Sequence, residues 1–212
     1  MLEIRQFTFN PVQENTYVIF NEKGACAIID PGCYFEKEYK ELTDFIDSNK
    51  LLPKCLLNTH CHLDHVFGNK RIAEHYGLTL QIHKQEKPLL DYAPVSGKQW
   101  GLPFENYTGD LIYLEEGDKI SLDNDELSIL LTPGHSPGSI SFYNQQGKLL
   151  IAGDVLFRAG IGRTDLPGGD YNTLINAINT RLFVLPDDVK VFPGHGPETT
   201  IGYEKRHNPF LV

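Results

Sequence analysis

The 212-residue chain has an ordinary globular composition, with 41% hydrophobic and 22% charged residues, which argues against a disordered protein. Its formal net charge of −9 weighs against a surface dedicated to nucleic acid, because Lys and Arg drive phosphate binding. No apolar run approaches the roughly 18 residues that a membrane span needs, and no secretory signal is recognisable. We therefore expect a single cytoplasmic domain over residues 1–212, with no membrane or nucleic-acid partner.

The order of apolar segments predicts short strands interleaved with helices, in two halves. The first half contains strands Leu2–Phe9, Thr16–Asn21 and Ala25–Asp30, helix Phe35–Asn49, helix Val66–Tyr76 and strand Leu78–His83. The second half contains strands Leu111–Leu114, Lys119–Ile120, Leu127–Leu131, Ser139–Tyr143 and Leu149–Ala152, helix Asn172–Phe183, strand Val189–Phe192 and helix Thr200–His207. Strand-rich segments that are each followed by helices predict sheets covered by helices.

Between the halves, Lys87–Tyr107 contains several prolines and glycines and has no sustained period. We expect a long lid or loop insertion over residues 87–107, because long loops in compact domains are often functional. Its aromatic residues Tyr92, Trp100, Phe104 and Tyr107 either line a substrate cleft or form a small core that holds the loop against the body.

Three histidines and an aspartate follow the apolar run Leu51–Asn58, in the sequence Thr59–His65. Imidazole is the commonest protein ligand for zinc-like ions, and carboxylates are frequent partners. If the run enters in extended geometry, His60 and His62 face the same side. Asp64 and His65 follow at a turn, where they can face a second ion. This pattern predicts a metal site.

Three more candidate ligands each follow an apolar strand. His135 lies in a Pro/Gly turn after Leu130-Leu131, Asp154 follows Leu149–Gly153, and His195 follows Val189–Gly194. Each signal is weak alone, but together with the first run they supply five histidines and two aspartates, which suffice for two ions.

The four cysteines, Cys26, Cys33, Cys55 and Cys61, form no C-x-x-C pair. In a cytoplasmic protein we expect free buried thiols rather than disulfides. In an extended run Cys61 points away from the histidines, so we interpret it as a packing residue.

The H-x-H-x-D-H run and the later histidine, aspartate and histidine resemble the metallo-β-lactamase superfamily. More narrowly, Thr132–Ser139, Gly153–Phe157 and Pro193–Gly196 resemble hydroxyacylglutathione hydrolases (glyoxalase II), and Ala159–Pro167 resembles the short, single-domain members. The resemblance implies an α+β fold, a four-layer αβ/βα sandwich of two mixed sheets covered by helices, with a two-metal site at one edge.

By motif match, the resemblance implies that the first ion takes His60, His62 and His135, that the second takes Asp64, His65 and His195, and that Asp154 bridges them. The implied cofactors are two divalent ions, zinc in the first place, with iron or manganese as alternatives. Two such ions can share a hydroxide that attacks a carbonyl carbon, and we expect Asp64 to aim it. The expected substrate is a small acyl thioester such as S-lactoylglutathione.

Two other activities stay open within the resemblance. A persulfide dioxygenase would use one iron held by His60, His135 and Asp154, and the stretch Gly162–Asp165 is similar in those enzymes. A phosphodiesterase such as the tRNA 3′ nuclease would use both ions, but the acidic net charge disfavours it. Arg163 is a candidate for binding a substrate carboxylate; the alternative is an ion pair to Asp165 or another acid that pins its loop.

Overall fold

Two six-stranded sheets form the centre of the fold in the computed structural model, which describes residues 2–211. The first sheet is antiparallel from β1 to β3 and parallel from β3 to β6. Its strands, in spatial and chain order, are β1 (Glu3–Phe9), β2 (Glu14–Phe20), β3 (Ala25–Ile29), β4 (Leu52–Leu57), β5 (Leu80–His83) and β6 (Leu111–Leu114).

The second sheet has the spatial order β14-β13-β10-β9-β8-β7, and only its β10–β13 pair is parallel. A two-stranded hairpin, β11–β12, leaves the end of β10. The elements are β7 (Lys119–Leu122), β8 (Asp125–Leu131), β9 (Ile140–Asn144), β10 (Leu149–Gly153), β11 (Leu156–Phe157), β12 (Gly160–Ile161), β13 (Lys190–Pro193) and β14 (Thr199–Thr200).

The α-helices are α1 (Glu36–Ser48), α2 (Leu63–Val66), α3 (Asn69–Tyr76), α4 (Lys87–Gln99), α5 (Tyr171–Ala177) and α6 (Ile201–His207). The predicted helix Val66–Tyr76 is two helices, and α5 continues as a π-helical turn over Ile178–Leu182. Within residues 2–211, no helix combines the length and apolar character that crossing a bilayer requires.

Alternating side chains along the strands build the layers. On β2, Val18 packs into the cluster shared with α1 and α3, whereas Tyr17 and Ile19 face the second sheet. Opposite them, Ile129 and Phe142 of the second sheet complete a core between the sheets. A third cluster joins the outer face of the second sheet to α5 and α6. The predicted four-layer αβ/βα sandwich is confirmed.

The prediction of a loop over 87–107 is wrong for its first part, because α4 covers Lys87–Gln99. Pro88 lies in the first helical turn, where no intrahelical N–H bond is required. Pro94 removes the N–H that would bond to the Leu90 carbonyl, and the Asn106 side chain donates to that carbonyl instead, at 2.7 Å. A side chain outside the helix therefore compensates for the internal proline.

Candidate metal centre

All seven predicted ligands meet at one edge of the sandwich. The Thr59–His65 segment follows β4, and His135 lies in the turn between β8 and β9. Asp154 follows β10 and His195 follows β13, which are parallel neighbours, so their ends lie at the same edge. The two sheets thus contribute ligands to one site, as the strand-end pattern predicts.

His60, His62 and His135 form one group of ring nitrogens. His135 Nε2 lies 2.8 Å from His62 Nδ1 and 3.2 Å from His60 Nε2. His135 Nδ1 donates to the Arg163 carbonyl at 2.8 Å, which leaves its Nε2 lone pair facing the group. Burial lowers the pKa of all three, that of His62 to about 3. Neutral imidazoles with converging lone pairs suit a cation.

Asp64, His65 and His195 form the second group. Asp64 Oδ2 lies 3.1 Å from His195 Nε2 and 3.6 Å from His65 Nε2. Burial acts to lower the pKa of both histidines, but the carboxylates of Asp64 and Asp154 raise it above the usual range. The two carboxylates therefore favour a positive charge here, which a metal cation can supply.

Asp154 lies between the two groups. Its Oδ2 is 3.6 Å from both His135 Nε2 and His195 Nε2, and its Oδ1 is 3.5 Å from His65 Nε2. Burial acts to raise its pKa, but His65 and the other two histidines lower it below the usual range. The carboxylate is thus ionised and lies within 3.6 Å of a histidine nitrogen of each group.

Buried polar atoms without partners test whether a metal fits. Within residues 2–211, His65 Nε2 and Asp154 Oδ1 are buried and have no hydrogen bond, which is costly unless an ion satisfies them. At Gly194, a Cβ would lie 2.1 Å from Asp154 Oδ1, so only glycine leaves room for that carboxylate. The donor set and this close approach fit divalent metal binding.

Asp30 is a site residue that sequence reasoning missed. Its carboxylate accepts from His65 Nδ1 at 3.1 Å, from the Thr59 N–H at 2.7 Å and from the Thr59 hydroxyl at 2.6 Å. It therefore orients His65 with Nε2 toward the centre, a common arrangement around metal-binding histidines. The available signal was its place at the end of the buried strand β3, before Pro31-Gly32.

Glu86, at the start of α4, was also missed. One carboxylate oxygen accepts from the Cys61 N–H at 2.8 Å, and the other accepts from the Ser136 hydroxyl and the Gly138 N–H, both at 2.7 Å. A single buried side chain thus ties the His60–His62 segment to the His135 turn. Nothing in the local sequence around Glu86 signals this role.

A cavity of about 460 Å³ opens beside the metal ligands. Tyr92 and Trp100 line it, whereas Phe104 packs against Phe67 with ring centroids 4.9 Å apart, and the Tyr107 hydroxyl donates to the Asp110 carbonyl. Tyr92 and Trp100 therefore line the cavity, whereas Phe104 and Tyr107 pack against the core. Each of the two predicted roles applies to one of these pairs. The lid itself remains a prediction.

Arg163 also lines the cavity, with its side chain 54% exposed. Its Nε and an Nη donate to the two carboxylate oxygens of Asp165 at 2.7 and 2.8 Å. The ion pair considered as the alternative role is thus formed. All four cysteines are free and buried, as predicted, and Cys61 belongs to the core cluster around α3.

A family model described as the metallo-beta-lactamase superfamily matches residues 9–195. Hydroxyacylglutathione hydrolase GloC of Haemophilus influenzae is 42% identical over 201 residues, covering 94% of this chain and 93% of the relative.

Solved structures are also similar. BLEG-1 B3 metallo-beta-lactamase has 35% identity and a TM-score of 0.91, covering 99% of this chain and 100% of the other. TTHA1623 in a di-iron-bound form has 37% identity and a TM-score of 0.88, covering 98% and 100%. ETHE1 from Myxococcus xanthus has 26% identity and a TM-score of 0.79, covering 98% and 83%. The chain belongs to the metallo-beta-lactamase superfamily.

Proposed function

We propose that this metallo-hydrolase cleaves small acyl thioesters, with an activity similar to that of hydroxyacylglutathione hydrolases. The observation that carries the proposal is the pair of adjacent ligand groups with the ionised Asp154 between them. The 42% identity to GloC over most of both chains supports the thioester as the bond that is cleaved. S-lactoylglutathione or a similar compound is the proposed substrate.

In this proposal His60, His62 and His135 would hold the first ion, Asp64, His65 and His195 would hold the second, and Asp154 would be shared. Such a pair of divalent ions would supply hydroxide near neutral pH and Lewis acidity toward the carbonyl oxygen. Zinc is the first candidate, and the di-iron form of TTHA1623 makes iron a strong alternative. Hydrolysis adds one water across the C–S bond and releases a carboxylic acid and a thiol.

Asp64 has the catalytic role among the side chains. Burial acts to raise the pKa of its carboxyl, but His65 and a hydrogen bond from His195 lower it below the usual value. The group is therefore an acceptor at neutral pH, and it can hold the proton of the attacking water and aim its oxygen. Asp30 and the Arg163 carbonyl keep the rings of His65 and His135 in their working tautomers.

A persulfide dioxygenase is the second candidate. Its support is the stretch Gly162–Asp165, which resembles that of persulfide dioxygenases, and the likeness to ETHE1 leaves the specific activity open. That reaction would use a single iron on His60, His135 and Asp154, a two-histidine, one-carboxylate set. The likeness to BLEG-1 adds β-lactams to the substrates that a test must include, and phosphodiesters remain a less favoured class.

Metal content and substrate turnover, measured on the same preparation, test the proposal. We expect about two metal ions per chain by elemental analysis and turnover of S-lactoylglutathione, without turnover of glutathione persulfide, a β-lactam or a phosphodiester. His65→Ala and Asp154→Ala should lose metal. The matched control is His75→Ala, whose ring contacts the Tyr39 hydroxyl outside the site and should keep both ions. One tightly held iron that is indifferent to His65→Ala, with persulfide turnover, would contradict the proposal.

A further inference from the structure

The cavity beside the metal ligands has one wall built by a single face of α4 and its C-terminal turn. Leu89, Tyr92, Ala93 and Trp100 line it, at spacings of three, four and seven that place them on one side of a helix. A second wall is formed by the β11–β12 hairpin, through Phe157 and Ile161. Both walls are therefore predominantly apolar.

The aromatic side chains of this wall are exposed to solvent. Trp100 is 59% exposed and Tyr92 is 45% exposed. Exposed apolar patches of this kind often mark ligand-binding sites. By contrast, Ala93 is buried in the same face. The exposed rings leave apolar surface uncovered in the same cavity as the proposed metal ligands.

Basic side chains contribute little to the lining of the cavity. Of the described residues that line it, Arg163 is the single Lys or Arg, and Asp165 already neutralises its guanidinium at two points. Lys87, on the same helix, is paired with Asp91 at 2.7 Å.

We infer that the apolar wall on α4 receives the acyl group of the thioester, and that the preferred substrates carry aliphatic or aromatic acyl groups larger than lactoyl. This inference rests on the proposed thioester hydrolysis and narrows its substrate class. A volume of about 460 Å³ lies in the range of small-molecule sites and has room beyond a three-carbon hydroxyacyl group. Each buried methylene should raise kcat/KM about fourfold.

The test uses the metal-loaded protein and a series of glutathione thioesters with lactoyl, acetyl, butyryl, hexanoyl and phenylacetyl groups. We expect kcat/KM to rise about fourfold per methylene from acetyl to hexanoyl, and to be higher for phenylacetyl than for lactoyl. As a readout independent of turnover, S-hexylglutathione should compete more strongly than S-methylglutathione, because these thioethers cannot be hydrolysed.

Two wall variants and one control locate the effect. Trp100→Ala and Leu89→Ala should each flatten the rise of kcat/KM with chain length. Val184→Ala removes an exposed apolar side chain, 70% exposed, that does not line the cavity, and should keep the full rise. Since Trp100 is exposed, its truncation should leave the fold intact.

The outcomes separate the two proposals. A metal-loaded protein that hydrolyses none of the thioesters overturns the proposed function. Thioester hydrolysis with a rate that is flat or falls with chain length overturns the acyl preference alone. A rise that persists unchanged in both Trp100→Ala and Leu89→Ala overturns the assignment of the wall on α4.

Discussion

Arg163 has two possible partners, the Asp165 carboxylate that holds it in the structure and a carboxylate of the substrate. If it binds the substrate, Arg163→Ala should raise KM for S-lactoylglutathione about tenfold or more, because charged hydrogen bonds are strong. Asp165→Asn frees the guanidinium and should lower KM. Steady-state kinetics of both variants checks this prediction; KM rising in both would mean that the ion pair only pins the loop.

The buried thiols also make a prediction at the scale of single residues. Burial raises the pKa of Cys26 and Cys33 to about 12 and raises that of Cys61 as well. At pH 8 the thiolate fraction of the first two is about 1 in 10,000. The native protein should therefore not react with a disulfide reagent within minutes, and four thiols should react after unfolding.

The raised pKa values of these cysteines also predict how the free energy of unfolding changes with pH. The folded state keeps protons that the unfolded thiols release above about pH 8.5, so these cysteines should make the free energy of unfolding fall as pH rises above that value. Denaturant titrations at pH 8 and pH 10 measure the change.

For the reactivity prediction, rapid labelling of one thiol in the native state would show that its burial is transient.

At the scale of elements, Glu86 connects α4 to both metal-binding segments through its hydrogen bonds to Cys61, Ser136 and Gly138. In Glu86→Gln one acceptor becomes a donor and leaves a buried N–H or hydroxyl unsatisfied. We expect a loss of about 1–3 kcal/mol in unfolding free energy and about tenfold weaker binding of the first ion.

The matched control is Glu115→Gln, because Glu115 forms an exposed ion pair with Lys84 at 3.0 Å and such pairs contribute little. Competition with a chromogenic chelator measures the affinity, and denaturant unfolding measures the stability. Equal losses of metal affinity and stability in Glu86→Gln and Glu115→Gln would contradict the positioning role of Glu86.

For the whole molecule, the proposed metal ions link the two sheets, because His60, His62, Asp64 and His65 follow the first sheet and the other ligands follow the second. Ligands that bind only the folded state stabilise it. Chelation should lower Tm by about 10 °C for each ion that is present at a thousandfold excess over its Kd, and added metal should restore it. An unchanged Tm after verified metal removal would mean that the edge is preorganised without ions.

Much of the fold and of the candidate site was predictable because its signals are local. The strands end within a few residues of the predicted positions, since alternation and Pro/Gly turns are short-range patterns. The ligands in Thr59–His65 can be recognised from their residue types and spacing. His135, Asp154 and His195 each follow a glycine at or shortly after the end of a strand, and parallel or adjacent strands place these ends at one edge.

The sequence by itself determined which side chains are available to bind metal and that two sheets would present them together. Only the tertiary structure decided that α4 is a helix, because Asn106 satisfies the carbonyl that Pro94 leaves without a donor. It likewise decided that Asp30 and Glu86 support the site and that Arg163 pairs with Asp165. These roles depend on which side-chain hydrogen bonds form in the folded chain. No periodicity or spacing in the sequence encodes that choice.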